Sequence, residues 1–184
     1  MKQNLIVLMG GPGAGKGTFA KMLRTDNNYK YVETGAMLRQ MPPESEIGRL
    51  IAGGNLVPDN ALFDMIAPHL SGDQDILLDG FPRTIGQAQW VVNNYANKFN
   101  VHILYINVPT DIILKRLNKR LNEGSTRADD ANPEIVRHRI ETFEKTTMPA
   151  IEWLRNADGI VFSDVDASGE VSDNYNNIKR ALGK

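Results

Sequence analysis

The sequence predicts an α/β fold, an open parallel sheet of five strands flanked by helices and interrupted by two excursions. Three observations predict it: short apolar runs without alternation recur, helix-length segments separate them, and only two stretches break the order. Continuous apolar runs mark strands buried on both faces of a parallel sheet. Their alternation with helical segments indicates a sheet wrapped by helices.

Taken in order, Leu5-Ile6-Val7-Leu8-Met9 is the first strand, ending in a glycine cluster, and residues 15–24 form the helix behind it. Tyr31-Val32 adds a short strand. Residues 33–58 make the first excursion, broken by Pro42-Pro43 and Gly53-Gly54. A helix over 60–70 leads to the strand Ile76-Leu77-Leu78, and a helix over 84–98 leads to a strand over 103–108. After a helix over 110–121, the polar, glycine-containing stretch 121–132 reads as a loop. Asn132 caps a helix over 133–154 with Pro133 in its first turn, and Pro149 should kink or divide it. Ile160-Val161-Phe162 closes the sheet, again as a run buried on both faces. Ligands of open α/β sheets bind beyond the carboxyl ends of the strands, so both excursions are candidate lids.

At 184 residues the chain is expected to be one domain with a core that needs no staples. It has no cysteine, which excludes thiol catalysis, disulfides and cysteine-based zinc sites. A net charge of −1 gives no sign of a nucleic-acid or membrane-surface partner. No stretch is long and apolar enough to span a bilayer, and the first apolar run is too short for a signal-peptide core, so a cytoplasmic protein is expected.

Gly10-Gly11-Pro12-Gly13-Ala14-Gly15-Lys16-Gly17-Thr18 follows the first strand and opens a helix. Such glycines let backbone N–H groups surround phosphate oxygens, with the positive end of the helix dipole behind them. Lys16 then reaches the β- and γ-phosphates. This is a P-loop, and the sheet is that of a P-loop NTPase. The strict pattern has Ser or Thr directly after the lysine; here Gly17 intervenes, so the Mg²⁺-touching hydroxyl moves to Thr18. Asp79 ends the third strand, where P-loop proteins carry their metal-directing acid.

Transfer between phosphates needs fixed positive groups more than a base. His69, His102 and His138 form no constellation and read as structural or surface residues. Arg83 lies four residues past Asp79, Arg116 and Arg120 share a helix face, and Arg127 lies in the second excursion. Arg137 and Arg139 are two apart and face differently. Arg139 lies nearer the stripe of Val136, Ile140, Phe143 and Leu154, and is the better candidate for a cleft.

With the P-loop, five further pieces carry a resemblance. They are Glu33-Thr34-Gly35-Ala36-Met37-Leu38-Arg39, Gly54-Asn55-Leu56-Val57-Pro58-Asp59 and Leu78-Asp79-Gly80-Phe81-Pro82-Arg83-Thr84-Ile85-Gly86-Gln87. Beyond these come Val108-Pro109-Thr110-Asp111 with Lys115-Arg116-Leu117-Asn118-Lys119-Arg120, and Arg127-Ala128-Asp129-Asp130 with Val136-Arg137-His138-Arg139. In this order they resemble the adenylate kinase family over nearly the whole chain, and Gly-Lys-Gly-Thr is that family's usual loop ending.

The resemblance implies reversible, Mg²⁺-dependent transfer of the terminal phosphate of ATP to AMP, giving two ADP. It implies a single kinase domain, residues 1–184, with a core of 1–33, 59–120 and 133–184. Residues 34–58 would be a small monophosphate-binding insertion and 121–132 a short lid. ATP would be held by Gly11, Pro12, Gly13, Ala14, Gly15, Lys16, Gly17, Thr18, Arg116, Arg120 and Gly169, with Arg116 on its adenine. AMP would be held by Thr34, Gly35, Arg39, Asn55, Leu56, Val57, Gly80, Arg83, Gln87, Arg127 and Arg139. In that set Arg39 and Arg83 take the phosphate, while Thr34 and Gln87 read the base. Lys16, Arg83, Arg120, Arg127 and Arg139 would act on the transferring phosphate, with Asp129 and Asp130 bracing the lid arginines. Asp79 would hold Mg²⁺ through water. A monomer without nucleic-acid or membrane partners is implied, and the long zinc lid of some relatives is out of reach without cysteine.

Three features depart from the family: Ala36 stands where aspartate is usual, Pro42-Pro43 shortens the insertion, and the lid is the short form. The alternatives are a UMP/CMP kinase and a non-catalytic nucleotide-binding module. UMP/CMP kinases tend to have a small residue in place of Thr34 and asparagine in place of Gln87. A degenerate binding module should have lost Lys16 or the cleft arginines.

Overall fold

The structure is a computed structural model that describes residues 2–122 and 132–184. Five parallel strands stand in the order β2-β3-β1-β4-β5. They are β1 (Asn4–Met9), β2 (Lys30–Glu33), β3 (Ile76–Asp79), β4 (Asn100–Asn107) and β5 (Val161–Asp166). The helices are α1 (Lys16–Asp26), α2 (Thr34–Arg39), α3 (Glu46–Ala52), α4 (Asp59–Ile66), α5 (Ile85–Tyr95), α6 (Thr110–Asn122), α7 (Pro133–Thr142), α8 (Met148–Arg155) and α9 (Val171–Ala181).

The two-residue period of a strand splits each central run between two cores. Leu5, Val7, Ile76, Leu78 and Ile103 face a core completed by α4, α5 and α8. Ile6, Leu8, Leu77, Leu104 and Ile106 face the other, filled by Phe19 and Leu23 of α1, Ile113 and Leu117 of α6, and Tyr175 and Ile178 of α9. Each such side chain withdrawn from water contributes about 1.5–3 kcal/mol, so β1, β3 and β4 anchor the fold.

Some elements differ from expectation. The run at 160–162 becomes the edge strand β5, and Val161 is 55% exposed rather than buried on both faces. An edge strand has one neighbour, and an apolar triplet does not encode how many it has. The segment 133–154 is divided, as Pro149 leads one to expect, and the unexpected part is the means: a π-helical turn, Phe143–Thr147, separates α7 from α8. Pro149 lies in the first turn of α8 and cannot donate the helical hydrogen bond. The wider turn absorbs this, with the Met148 N–H donating five residues back to the Phe143 carbonyl. Asn132 caps α7 as expected, accepting from the Glu134 N–H at 2.9 Å. Helix α9 was not anticipated, and neither were α2 and α3, which divide the first excursion on either side of Pro42-Pro43.

Candidate active site

The phosphate loop leaves β1 at the point where the strand order reverses: β1 is flanked by β3 on one side and β4 on the other. Open α/β sheets place their ligand crevice there. The Gly15 carbonyl accepts from the N–H groups of Thr18 (3.0 Å) and Phe19 (3.1 Å), starting α1 at the end of the loop. Lys16 folds its amine across the loop, donating to the carbonyls of Gly10 (2.8 Å) and Gly11 (3.0 Å). Thr18 is exposed at the start of α1.

Asp79 ends β3 in register with Leu8, so its carboxylate stands beside the root of the loop. It is 5% exposed. Burial pushes its pKa up, while the Lys16 charge and a hydrogen bond from Tyr31 pull it back. The next residue, Gly80, has φ +85°, and a Cβ there would lie 2.7 Å from the Thr34 hydroxyl oxygen. Only glycine fits that close approach in that conformation. Thr34 is buried and donates to the Asp79 carbonyl at 3.1 Å.

Arg83 is fixed twice. Its Nε donates to the Gly80 carbonyl (2.8 Å), and its backbone N–H donates to Gln87 Oε1 (2.7 Å). The Gln87 amino group donates to Asp59 Oδ1 at 2.7 Å. An N–H only donates and a carboxylate only accepts, so these two partners fix which end of the Gln87 amide is which.

Lys16, Arg83 and Arg139 come together in one cleft with Pro12, Leu56 and Gly80. Arg139 reaches it by laying its stem on Gly54, where a Cβ would meet its Cγ at 3.0 Å. Arg137 instead lines a groove between α6 and α7 with Leu117 and Ile140. Asn55 Oδ1 lies 3.0 Å from His138 Nε2, a second link between the first excursion and α7. Val57 turns its side chain into the core, so any ligand contact from it falls to its backbone. Arg39 is exposed and pairs with Glu33 at 2.7 Å. Gly35 adjoins it, a Cβ there lying 3.0 Å from Arg39 Nη1.

On the far side of the loop, Arg116 donates to the carbonyls of Ala167 (2.8 Å) and Gly169 (3.3 Å). Burial and then the charge of Arg120, on the same face, lower its pKa. Arg127, Asp129 and Asp130 lie outside the described residues.

Among the described residues no three His, Asp or Glu side chains cluster so as to hold a metal by themselves. A single buried carboxylate beside a phosphate loop fits Mg²⁺, which keeps several waters and binds through substrate phosphates plus one or two carboxylates. Backbone donors, a lysine, convergent arginines and such an acid make up the machinery of phosphoryl transfer.

Residues 8–158 match the family model described as adenylate kinase. The chain belongs to the adenylate kinase family. It is 38% identical over 174 residues to an adenylate kinase of Rhodopirellula baltica, covering 91% of this chain and 88% of that one. An adenylate kinase of Shouchella clausii is 32% identical, covering 88% and 96%, and one of Prochlorococcus marinus is 31% identical, covering 99% and 100%. Members of the adenylate kinase family are phosphotransferases, and this chain is an enzyme of that kind.

Several residues at the site of this adenylate kinase family member carry no phosphate-binding signature in the sequence. Phe143 and Thr147 of the π-helical turn line the cleft, and Asp59 orients Gln87. Tyr31 and Glu33 share a strand face and meet Asp79 across the β2–β3 pair. Strand parity gave a signal for that pair, but the register that completes it is a tertiary fact.

Proposed function

We propose that the chain transfers the terminal phosphate of ATP reversibly to AMP with Mg²⁺, giving two ADP. One observation carries this reading: Lys16, Arg83 and Arg139 share a cleft at the mouth of the phosphate loop, with Asp79 at its root. Fixed guanidinium groups there would neutralise the charge spread over the transferring phosphate. Asp79 and the Thr18 hydroxyl are the groups that would hold Mg²⁺, which supplies charge neutralisation when bound with the nucleotide. Residues 34–58 would act as the monophosphate-binding insertion and 121–132 as the lid.

The proposed reader of the acceptor base is the Gln87 amide, oriented by Asp59 and the Arg83 N–H. Each end keeps one further bonding capacity, a donor beside an acceptor, which suits adenine's pairing edge. Gln87 and Thr34 are buried, so a base reaching them requires the packing around them to open. Among the described residues no helix is long and apolar enough to cross a membrane. The expectation of a monomer rests on the family resemblance, and that of a cytoplasmic protein on the sequence reading alone.

The test is a coupled assay that offers ATP with AMP, UMP, CMP and GMP in turn. AMP should be turned over well above the others. Faster turnover of UMP or CMP overturns the choice of acceptor, and no turnover of any overturns the reading itself.

A further inference from the structure

Tyr31, Glu33, Arg39 and Asp79 form a continuous chain of polar contacts between the two halves of the site. Glu33 and Asp79 are directly opposed in the β2–β3 pair. The Tyr31 hydroxyl lies 3.0 Å from Asp79 Oδ2 and 3.4 Å from Glu33 Oε2. The other Glu33 oxygen, Oε1, accepts from Arg39 Nη2 at 2.7 Å. A phenol carries one proton, so it serves one of these carboxylates at a time, and the shorter distance gives it to Asp79. The Arg24 guanidinium sits 4.9 Å from the centre of the Tyr31 ring and steadies it, leaving the O–H free to turn about its own bond.

We propose that Tyr31 is a positioning residue that couples the donor half of the site to the acceptor half. The inference rests on the roles given above to Asp79 and Arg39. A divalent cation engaged at Asp79 offers that carboxylate a stronger partner than a phenol. The hydroxyl then turns to Glu33, spreads part of its charge, and weakens its hold on Arg39. Arg39 becomes available to the phosphate of the incoming AMP. Coupling of this sort acts on affinity, because the same cation favours the arrangement that AMP also favours.

The test is calorimetric binding of AMP in the presence of a non-hydrolysable ATP analogue, once with Mg²⁺ and once with EDTA. The parent chain should bind AMP about tenfold tighter with Mg²⁺, an ordinary size for coupled sites. Tyr31→Phe should show the weaker affinity in both conditions, because no hydroxyl remains to turn to Glu33. Glu33→Gln, at a partly exposed position, should show the tighter affinity in both, because Arg39 is no longer held by a full charge. A damaged fold would weaken binding in both variants, so the opposite directions separate coupling from structure. Tyr31→Phe retaining the tenfold difference, or Glu33→Gln weakening AMP, overturns the proposal. Equal affinities in the parent overturn the coupling alone, while a parent that binds no AMP overturns the adenylate reading along with it.

Discussion

Replacing Asn174 by alanine tests how the loop under Arg116 is held. Asn174 is 2% exposed, and its amide makes three hydrogen bonds to that loop. It donates to the carbonyls of Ala167 (3.0 Å) and Gly169 (2.8 Å) and accepts from the Gly169 N–H (3.1 Å). At about 1 kcal/mol net for each bond, the direct loss is about 3 kcal/mol. Both carbonyls keep the Arg116 guanidinium, and Gly169 is exposed, so water can reach the orphaned N–H. Little is added for unsatisfied groups, and the expected loss is about 2–3 kcal/mol. For a chain of this length that lowers Tm by roughly 5–10 °C. Urea denaturation of parent and variant measures it. A change within about 0.5 kcal/mol, typical of a bland surface substitution, would refute the view that Asn174 holds this loop. The KM for ATP should rise with it while that for AMP stays put.

Lys16→Met should fold as the parent does and lose at least about a hundredfold in kcat, since it removes a charge aimed at the transferring phosphate; turnover near the parent's ends that assignment. Gly80→Ala forces a side chain into φ +85° against Thr34 and should cost about 1–3 kcal/mol, read from the denaturant midpoint. Burial is the first cause that raises the pKa values of Tyr31, Tyr105 and Tyr175 above their ordinary 10.0. The folded chain therefore keeps these protons at pH values where the unfolded chain releases them. Their contribution is full below pH 10.0 and is lost as pH rises beyond it. Denaturation midpoints should fall through that range, and less steeply in Tyr175→Phe, which removes one of the three groups.

The parts of the fold legible in the sequence were those whose cause is local. Leu5-Ile6-Val7-Leu8-Met9 is apolar throughout because both its faces are covered, and Gly10, Gly13 and Gly15 after it take positive φ, which favours glycine. Helix α9 is hidden in the sequence because one of its buried positions is the polar Asn174, among further asparagines and charges that mask the spacing of Tyr175 and Ile178. The edge position of β5 depends on strand order, which no run of residues states. Within the site, Lys16, Asp79 and Arg83 follow from motifs, and Arg139 from its helical phase. The Tyr31–Asp79 bond spans 48 positions and exists only because β2 pairs with β3 in one register.

The π-helical turn at Phe143–Thr147 fixes how many residues this part of the chain must contain. Upstream of it, Val136 is packed into the core on the α1 side of the sheet; downstream, Ile151 and Leu154 are packed into the opposite one. Deleting one residue would rotate everything before the turn by about 100° relative to everything after it. Either Arg139 would leave its seat on Gly54, or Ile151 would leave the core. Insertions and deletions in descendants of this sequence should therefore avoid residues 136–154, and collect at exposed turns such as the one around Asp158 and Gly159, where no helical phase has to be kept.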